Sequence, residues 1–325
     1  MYSLGLKLFG SFLLVTIVLT ACSSPANSTS EMPIVRYVNF RVYDPVYIAI
    51  DRGFFTQRGI KVEITGDILG GPTAIQAVAS GSADAGLSSL PALVNANAAG
   101  LPVLGVSDIQ SALDGQPLEY YYVRLDSDIK DIKDLPGKKI AVNLWRSSFH
   151  YTALMALEQR GIAEDSLEWI LLPFDHQAEA LIQREVDVIG LMEPYNTYAL
   201  SKYGDQIRLL FSATDVFGKK QFTTHFVNRV WAQYNPEVAK AFVGGVVDAI
   251  QWIEANQDDA KRIVASYTGV EPDYIPEYHF QPNGIVVEDD VKFWLGYLKK
   301  RGDVTADWLT PDLIANNQYN PYIEP

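Results

Sequence analysis

Two well-separated stretches of this chain run through the same order of elements, and that repetition limits the folds open to it. The first is Val35 to Thr65, VRYVNFRVYDPVYIAIDRGFFTQRGIKVEIT. A short β-prone run around Val35, Tyr37 and Val38 leads into a polar and aromatic loop. Asp44-Pro45 starts a helix, an N-cap oxygen followed by proline in the first turn. Val46, Ile48, Ala49 and Ile50 supply its buried side. Arg58-Gly59-Ile60 stops it, because glycine accepts the left-handed conformation after a last turn. Strand Lys61 to Thr65 completes the unit. The second stretch has strand Lys139 to Val142, loop Asn143 to Ser148, and a helix through Tyr151, Leu154, Met155 and Leu157. Arg160-Gly161-Ile162 ends that helix 102 positions after its counterpart. Strand Trp169 to Leu172, loop Pro173 to His176 and helix Ala178 to Gln183 follow. Asp187-Val188-Ile189-Gly190-Leu191 then echoes Asp84-Ala85-Gly86-Leu87, and Glu193-Pro194 falls where Leu90-Pro91 fell, with offsets of 102 to 104. Identity between the stretches is slight, and chance agreement of two βαβ units is the alternative to a true repeat. The order of elements implies an α/β protein of two lobes. In open α/β sheets ligands bind beyond the carboxyl ends of strands. The loops Asn39 to Asp44 and Asn143 to Ser148 are therefore candidate ligand loops.

Between and after these units the pattern is simpler. Loop Gly66 to Gly71 precedes a helix starting at Pro72, and the strand around Asp84 to Leu87 ends in Ser88-Ser89-Leu90-Pro91. Helix Ala92 to Ala99 and strand Pro102 to Val106 follow, and Tyr120 to Val123 is an aromatic strand-like run. From Asn228 onward the chain reads as helical. Pro236 begins a helix carrying Val238, Ala241, Phe242, Val246, Val247, Ile250 and Ile253 on a helical period. Further helices are expected around Asp259 to Tyr267 and Val287 to Arg301, with an irregular tail from Trp308. This helical third is expected to cover the first lobe.

The N-terminus reads as a targeting signal: Lys7 for the charge, Leu8 to Leu19 as the apolar core, and Leu19-Thr20-Ala21-Cys22 at its end. That ending resembles the lipobox of bacterial lipoproteins, which implies cleavage before Cys22 (residues 1–21 removed) and lipid on that cysteine. An ordinary signal peptide with an incidental cysteine is the alternative. Residues 22–32 then form a polar tether. Cys22 is the only cysteine, so the folded part is left without disulfides, a thiolate nucleophile or a Cys-based metal site. The net charge of −13 and the absence of a basic cluster argue against nucleic acid as a partner. Catalytic motifs are missing: no phosphate loop, no G-x-G-x-x-G after a strand, no G-x-S-x-G and no H-E-x-x-H. His150, His176, His225 and His279 lack ligand spacing, so neither a metal nor another cofactor is expected.

The segments GFF…GIKVEI, AIQAVASGSADAGLSS, DLPGKKIAVNLWRSSFHYTALMALEQRGI and REVDVIGLMEP resemble the solute-binding proteins of ABC importers. The likeness is nearest to the nitrate, sulfonate, taurine and thiamine-precursor binders, the SsuA/THI5-like group. It implies a periplasmic binding protein type II fold: two Rossmann-like lobes joined by two crossing strands, ligand in the cleft between them, and a helical C-terminal extension. Leu118 to Arg124 and Phe211 to Thr224 would be the crossings, lobe 1 residues 33–119 plus 221–325, and lobe 2 residues 120–220. The family also includes an enzyme branch that makes a thiamine pyrimidine with an iron-binding cysteine cluster, which one lipidated cysteine cannot supply.

The resemblance and the strand-end loops together select the candidate site. Ser147 and Ser148 precede a helix and match the Ser/Thr pair the family places against ligand, where unpaired N–H groups and hydroxyls meet; simple N-capping is the alternative. Leu144-Trp145-Arg146 departs from the small approach usual in sulfonate binders. Trp145 is expected to stack on a planar ring, adding ~0.5–1.5 kcal/mol beyond burial, unless it packs on the lobe surface. Asn39, Tyr43, Asp44 and Tyr47 occupy the opening loop and first turn, as hydrogen-bonding groups and flat faces for a ligand; Asp44 as a pure N-cap is the alternative. Arg146 or Arg41 could clamp an anionic group; a solvated face is the alternative for both. Ser88, Ser89 and Phe174 fall at strand ends, and Glu193-Pro194-Tyr195 matches the family's acidic-Pro position, so Glu193 and Tyr195 complete the set. The expectation is a lipid-anchored, monomeric, extracytoplasmic solute-binding protein, not an enzyme, that delivers a small molecule to an ABC permease. The first choice of ligand is a planar heteroaromatic compound such as riboflavin, then a thiamine-type pyrimidine. An aliphatic sulfonate, taurine or nitrate is the alternative.

Overall fold

The computed structural model describes residues 31–68 and 70–323. The signal peptide, Cys22 and most of the tether lie outside the described residues. Strand β1 (Ile34–Asn39) runs to α1 (Pro45–Asp51), the short α2 (Phe54–Gln57) and β2 (Lys61–Asp67); α3 (Gly71–Ala79), β3 (Ala85–Ser89), α4 (Leu90–Ala98) and β4 (Val103–Ser111) follow. The chain then enters β5 (Tyr120–Arg124), β6 (Lys139–Val142), α5 (Ser148–Glu158), β7 (Glu168–Leu171), α6 (Phe174–Ile182), β8 (Ile189–Leu191), α7 (Tyr195–Tyr203) and β9 (Ile207–Ser212). It returns through α8 (Ala213–Phe217) to β10 (Gln221–Asn228), and ends in α9 (Arg229–Tyr234), α10 (Pro236–Ala255), α11 (Gln257–Thr268), α12 (Glu288–Arg301) and α13 (Pro311–Ile314).

The repeat in the sequence is a repeat of topology. One sheet has the order β2-β1-β3-β10-β4; β1 is parallel to β2 and β3, and β10 runs antiparallel between β3 and β4. On the other side, β5 lies antiparallel between β8 and β9, and β6 pairs in parallel with β7. Ala141 N donates to Val188 O at 2.8 Å and Val188 N to Lys139 O at 3.0 Å, joining the two pieces. The resulting order β7-β6-β8-β5-β9 matches the first sheet position for position. Each sheet takes its antiparallel strand from the other half of the chain: β10 returns to the first sheet and β5 crosses into the second. The crossings are tied together where they meet, with Ala213 N between the carbonyls of Leu118 and Glu119 at 3.1 and 3.0 Å.

Two local expectations change. The second crossing is not a plain strand, because Ser212 and Asp215 form a capping box that starts α8 inside it. Residues 174–176 are the first turn of α6 and not a loop, with Phe174 turned inward and 6% exposed. Along β5 the tyrosines alternate as a strand requires. Tyr121 is buried against Phe211 at a 4.2 Å ring separation, while Tyr120 and Tyr122 take the other face.

The helical third covers the first sheet. Phe242 of α10 packs on Tyr37 and Phe55, with ring separations of 6.2 and 5.7 Å. A Cβ on Gly245 would lie 2.4 Å from the Phe55 ring, so the absence of a side chain lets α10 approach α2. Trp294 of α12 is fully buried and donates its indole N–H to Gln221 O at 3.2 Å. The tail is less irregular than expected: it holds α13, and Asn316 N donates to Gly105 O at 3.0 Å beside the outer strand β4.

Candidate functional site

The strand ends of the two sheets face each other across a cleft with two adjoining compartments. The first is narrow, with room between its walls for little more than a water molecule. Phe40, Gly71, Ser88, Ser89, Gln110 and Thr223 line it from the first lobe; Asn143, Ser147, Ser148, Phe149, Phe174 and Met192 line it from the second. Two helices begin there, α3 at Gly71 and α5 at Ser148, and a helix start carries unpaired N–H donors and partial positive charge. A Cβ on Gly71 would lie 2.3 Å from Ser88 Oγ, so glycine is what lets the start of α3 close on the end of β3. Ser88 Oγ, Ser89 Oγ and Asn143 Oδ1 are buried with no hydrogen-bond partner, a costly state unless a bound molecule or water supplies one. Aromatic rings form the remaining wall. Phe174 stands 6.2 Å from Phe40 across the cleft, 4.8 Å from Phe149 and 5.6 Å from Tyr195.

The second compartment, equally narrow, shares Gln110 and Met192 with the first and adds Gln116, Glu119, Tyr120, Glu193 and Tyr278. Glu193 accepts from Asn196 Nδ2 at 2.8 Å and Thr197 N at 3.1 Å, and burial raises its carboxyl above the ordinary range. Burial pushes the Glu119 carboxyl up to about 8, the Ser148, Thr152 and Tyr121 hydroxyls offsetting part of the effect. Among the described residues, neither compartment is lined by a lysine or arginine, and no group of three or more His, Cys, Asp and Glu could hold a metal ion.

Ser88, Ser89, Ser147, Ser148, Phe174 and Glu193 thus come together on the cleft walls, and Tyr195 flanks Phe174. Ser147 also caps α5, accepting from His150 N at 3.3 Å. The opening-loop residues lie beneath the cleft instead. The Asn39 amide oxygen takes the Arg41 N–H and the Tyr47 hydroxyl, and its Nδ2 donates to Asp67 at 2.6 Å. Tyr47 stacks on Tyr267 at 4.5 Å, and Tyr43, 1% exposed, stacks on Tyr278 at 4.8 Å. Asp44 caps α1 through Val46 N at 2.9 Å and takes the Tyr37 hydroxyl at 2.5 Å. These side chains pack within their own lobe, and of their polar groups the Tyr43 hydroxyl is left without a partner.

Trp145 is not in either compartment. It is 46% exposed, 4.8 Å edge-on from His150 and 6.1 Å from Trp169, on the surface of the second lobe. Arg146 is exposed beside it, and Arg41 is paired with Asp67 at 2.5 Å. The turn explains the difference: Arg146 adopts φ +59 and its N–H reaches His150 Nδ1 at 3.3 Å, which swings 145–146 outward while Ser147 turns in. Sequence reasoning missed Phe40, Gln110, Phe149, Met192, Thr223, Glu119 and Tyr278. Phe40 sat inside a loop already singled out. Gln110, Thr223 and Tyr278 had no local signal, because only the crossing strands and the late loop bring them to the cleft.

A family model described as NMT1/THI5 like matches residues 42–260. The formylaminopyrimidine-binding protein of Halalkalibacterium halodurans is 23% identical over 320 residues, 93% of this chain and 92% of that protein. Among solved structures, the periplasmic aliphatic sulphonate binding protein SsuA from Escherichia coli superposes with TM-score 0.68 at 20% identity, covering 84% of this chain and 94% of that one. The periplasmic nitrate-binding protein NrtA from Synechocystis PCC 6803 gives 0.72 at 14% identity, covering 89% and 87%.

Proposed function

This chain belongs to the NMT1/THI5-like family, and from that premise we propose that its cleft captures a planar, polar heteroaromatic solute of pyrimidine size. The protein is an extracytoplasmic solute-binding component of an ABC import system and not an enzyme. Its lobes are residues 33–119 plus 221–325 and residues 120–220, it acts as a monomer, and lipid on Cys22 holds it beside its permease.

The observation that carries the ligand class is the first compartment's division of labour. The rings of Phe40, Phe149 and Phe174 offer flat apolar surface, and the unpartnered Ser88, Ser89 and Asn143 oxygens stand ready to fix polar edges. A relative is named for formylaminopyrimidine, which fits that description. Riboflavin is the larger heterocycle, and Trp145, on the surface of the second lobe, offers it no stacking face in the cleft. The helix starts of α3 and α5 favour a second reading, an aliphatic sulfonate, since a helix N-terminus attracts anions.

Calorimetric titration of the full chain in detergent tests this. Saturable binding of a formylaminopyrimidine at micromolar concentration, with at least tenfold weaker binding of hexanesulfonate, is the expected result. The reverse order would establish the sulfonate reading, and tight riboflavin binding with no pyrimidine binding would restore the flavin.

A further inference from the structure

Helix α5 of the second lobe and α12 of the first leave an open groove of about 480 Å3 between them, within the ~300–1,000 Å3 usual for small-molecule sites. None of its lining residues lines either cleft compartment. Met155 and Gln159 form one wall, and Phe293, Gly296 and Tyr297 the other. The groove adjoins the second crossing: Gln159 Nε2 donates to Val216 O at 2.7 Å, and Phe293 stands 6.2 Å from Phe217. Gly296 is the unexpected residue. It lies inside the 14-residue α12, where glycine is the costliest choice after proline. Glycine is required in such a place when φ is positive or when another group comes too close for a side chain. Neither holds here: Gly296 is not among the positive-φ residues, and a Cβ on it would meet nothing within 4 Å. The glycines of α10 show the contrast, since a Cβ on Gly244 would lie 2.3 Å from Arg58 and one on Gly245 2.4 Å from Phe55. The notch at Gly296 is room that no described part of the chain uses.

The charges around the groove leave one cation over. Glu158 pairs with Arg301, and Lys292 pairs with Glu288 at 2.9 Å and Asp289 at 3.1 Å. Lys220, 5.3 Å from the centre of the Phe293 ring, pairs with Asp290 at 3.3 Å. Lys300 is exposed at the rim and has no ion-pair partner among the described residues. In a chain of net charge −13, an unmatched cation beside apolar surface selects a negative group. We propose that the groove is a second binding site, for a small amphiphilic carboxylate. Its apolar body fills the notch at Gly296, between Met155 and Phe293, and its head group meets Lys300. The aliphatic stem of Lys300 extends the apolar contact toward the charge. The site stands apart from the cleft and does not depend on which solute the cleft takes.

Calorimetric titration of the full chain in detergent with 4-phenylbutyrate tests this, with 4-phenylbutanol as the uncharged probe of the same body. Gly296→Leu fills the notch with a good helix former, so it should melt no lower than wild type. It also serves as the reference for uptake of either probe by the micelles. Saturable binding of 4-phenylbutyrate to wild type, ~10-fold or more weaker in Gly296→Leu, is the expected result. The alcohol should bind wild type ~3-fold or more weakly than the acid, the size of one exposed ion pair. Lys300→Ala should bring the acid to the alcohol's level. Equal binding to wild type and Gly296→Leu would place the molecule elsewhere and overturn the site, as would no saturable binding at all. An alcohol that binds as tightly as the acid, or an acid unaffected by Lys300→Ala, overturns the assignment of an anion.

Discussion

His225 Nε2 donates to Asp44 Oδ1 at 2.9 Å, joining the first loop of the chain to strand β10 across 181 positions. Both side chains are wholly buried, and the Tyr37 hydroxyl takes the other carboxylate oxygen. Removing Asp44 leaves the His225 N–H and the Tyr37 hydroxyl buried without an acceptor, at a cost of about 1–3 kcal/mol each. Asp44→Ala should therefore lower unfolding stability by about the sum of the two in urea titration, with solute affinity of the folded protein unchanged within about threefold. Unchanged stability with a lost affinity would mean that Asp44 meets the solute after all.

Gly71 and Gly59 separate packing from backbone conformation. A Cβ at 71 would fall 2.3 Å from Ser88 Oγ and 3.0 Å from Ser88 Cα, whereas at 59 it would meet nothing within 4 Å but must tolerate φ +77. Gly71→Ala should displace the Ser88 hydroxyl and weaken solute binding by ~10-fold or more, with an overpacking cost of about 1–3 kcal/mol. Gly59→Ala should cost about 1 kcal/mol of backbone strain and leave binding intact. Equal effects on binding would remove Ser88 from the site.

Glu119 makes stability depend on pH in a definite direction. Its carboxyl moves from 4.5 to about 8 on folding, so the native state holds the proton more tightly than the unfolded chain. The contribution is fully present below about pH 4.5 and is lost as pH rises through 8, by up to about 5 kcal/mol. Glu119→Gln cannot titrate, so the stability difference between variant and wild type should widen in the variant's favour between pH 5 and pH 8.5. A difference independent of pH would show that Glu119 is ionised in the native protein.

Arg301 at the end of α12 reaches across to the second lobe, pairing with Glu158 and, at 3.1 Å, with Glu164. Asn95 Nδ2 reinforces the junction, donating to the Tyr151 hydroxyl at 2.9 Å. Arg301 is outside both compartments, so it acts on the lobes and not on the solute. Arg301→Ala should weaken solute affinity by ~3–10-fold by loosening this contact between the lobes, each such ion pair being worth up to about 1 kcal/mol. Small-angle scattering of the unliganded variant should show a larger radius of gyration than wild type. Weakened affinity without expansion would contradict this role.

The elements that sequence reasoning read correctly are those specified by neighbours along the chain. The apolar period of α10, the Asp44-Pro45 start of α1 and the Gly59 and Gly161 stops are all local signals. So is Ser147 at the head of α5, because a cap needs only the next turn of backbone. Trp145 shows the reverse: nothing local says which way a turn will face, and the Arg146 N–H bond to His150 accompanies the lobe-surface packing that the sequence left open as the alternative. Likewise the loop of Asn39 and Tyr43 was placed at the right end of the right strand, but its side chains were already spoken for by Asp67, Tyr267 and Tyr278.

What the amino-acid sequence determined alone was the alternation of strands and helices, its repetition, and the helix starts that end at the cleft. Tertiary structure decided which polar groups there remain free. Gln110, Glu119, Thr223 and Tyr278 are far apart in sequence and acquire a shared environment only when β5 and β10 exchange sheets. Hydrogen-bond satisfaction is a property of the whole packed interior, so a residue's availability for ligand cannot be read until every competing partner has been placed.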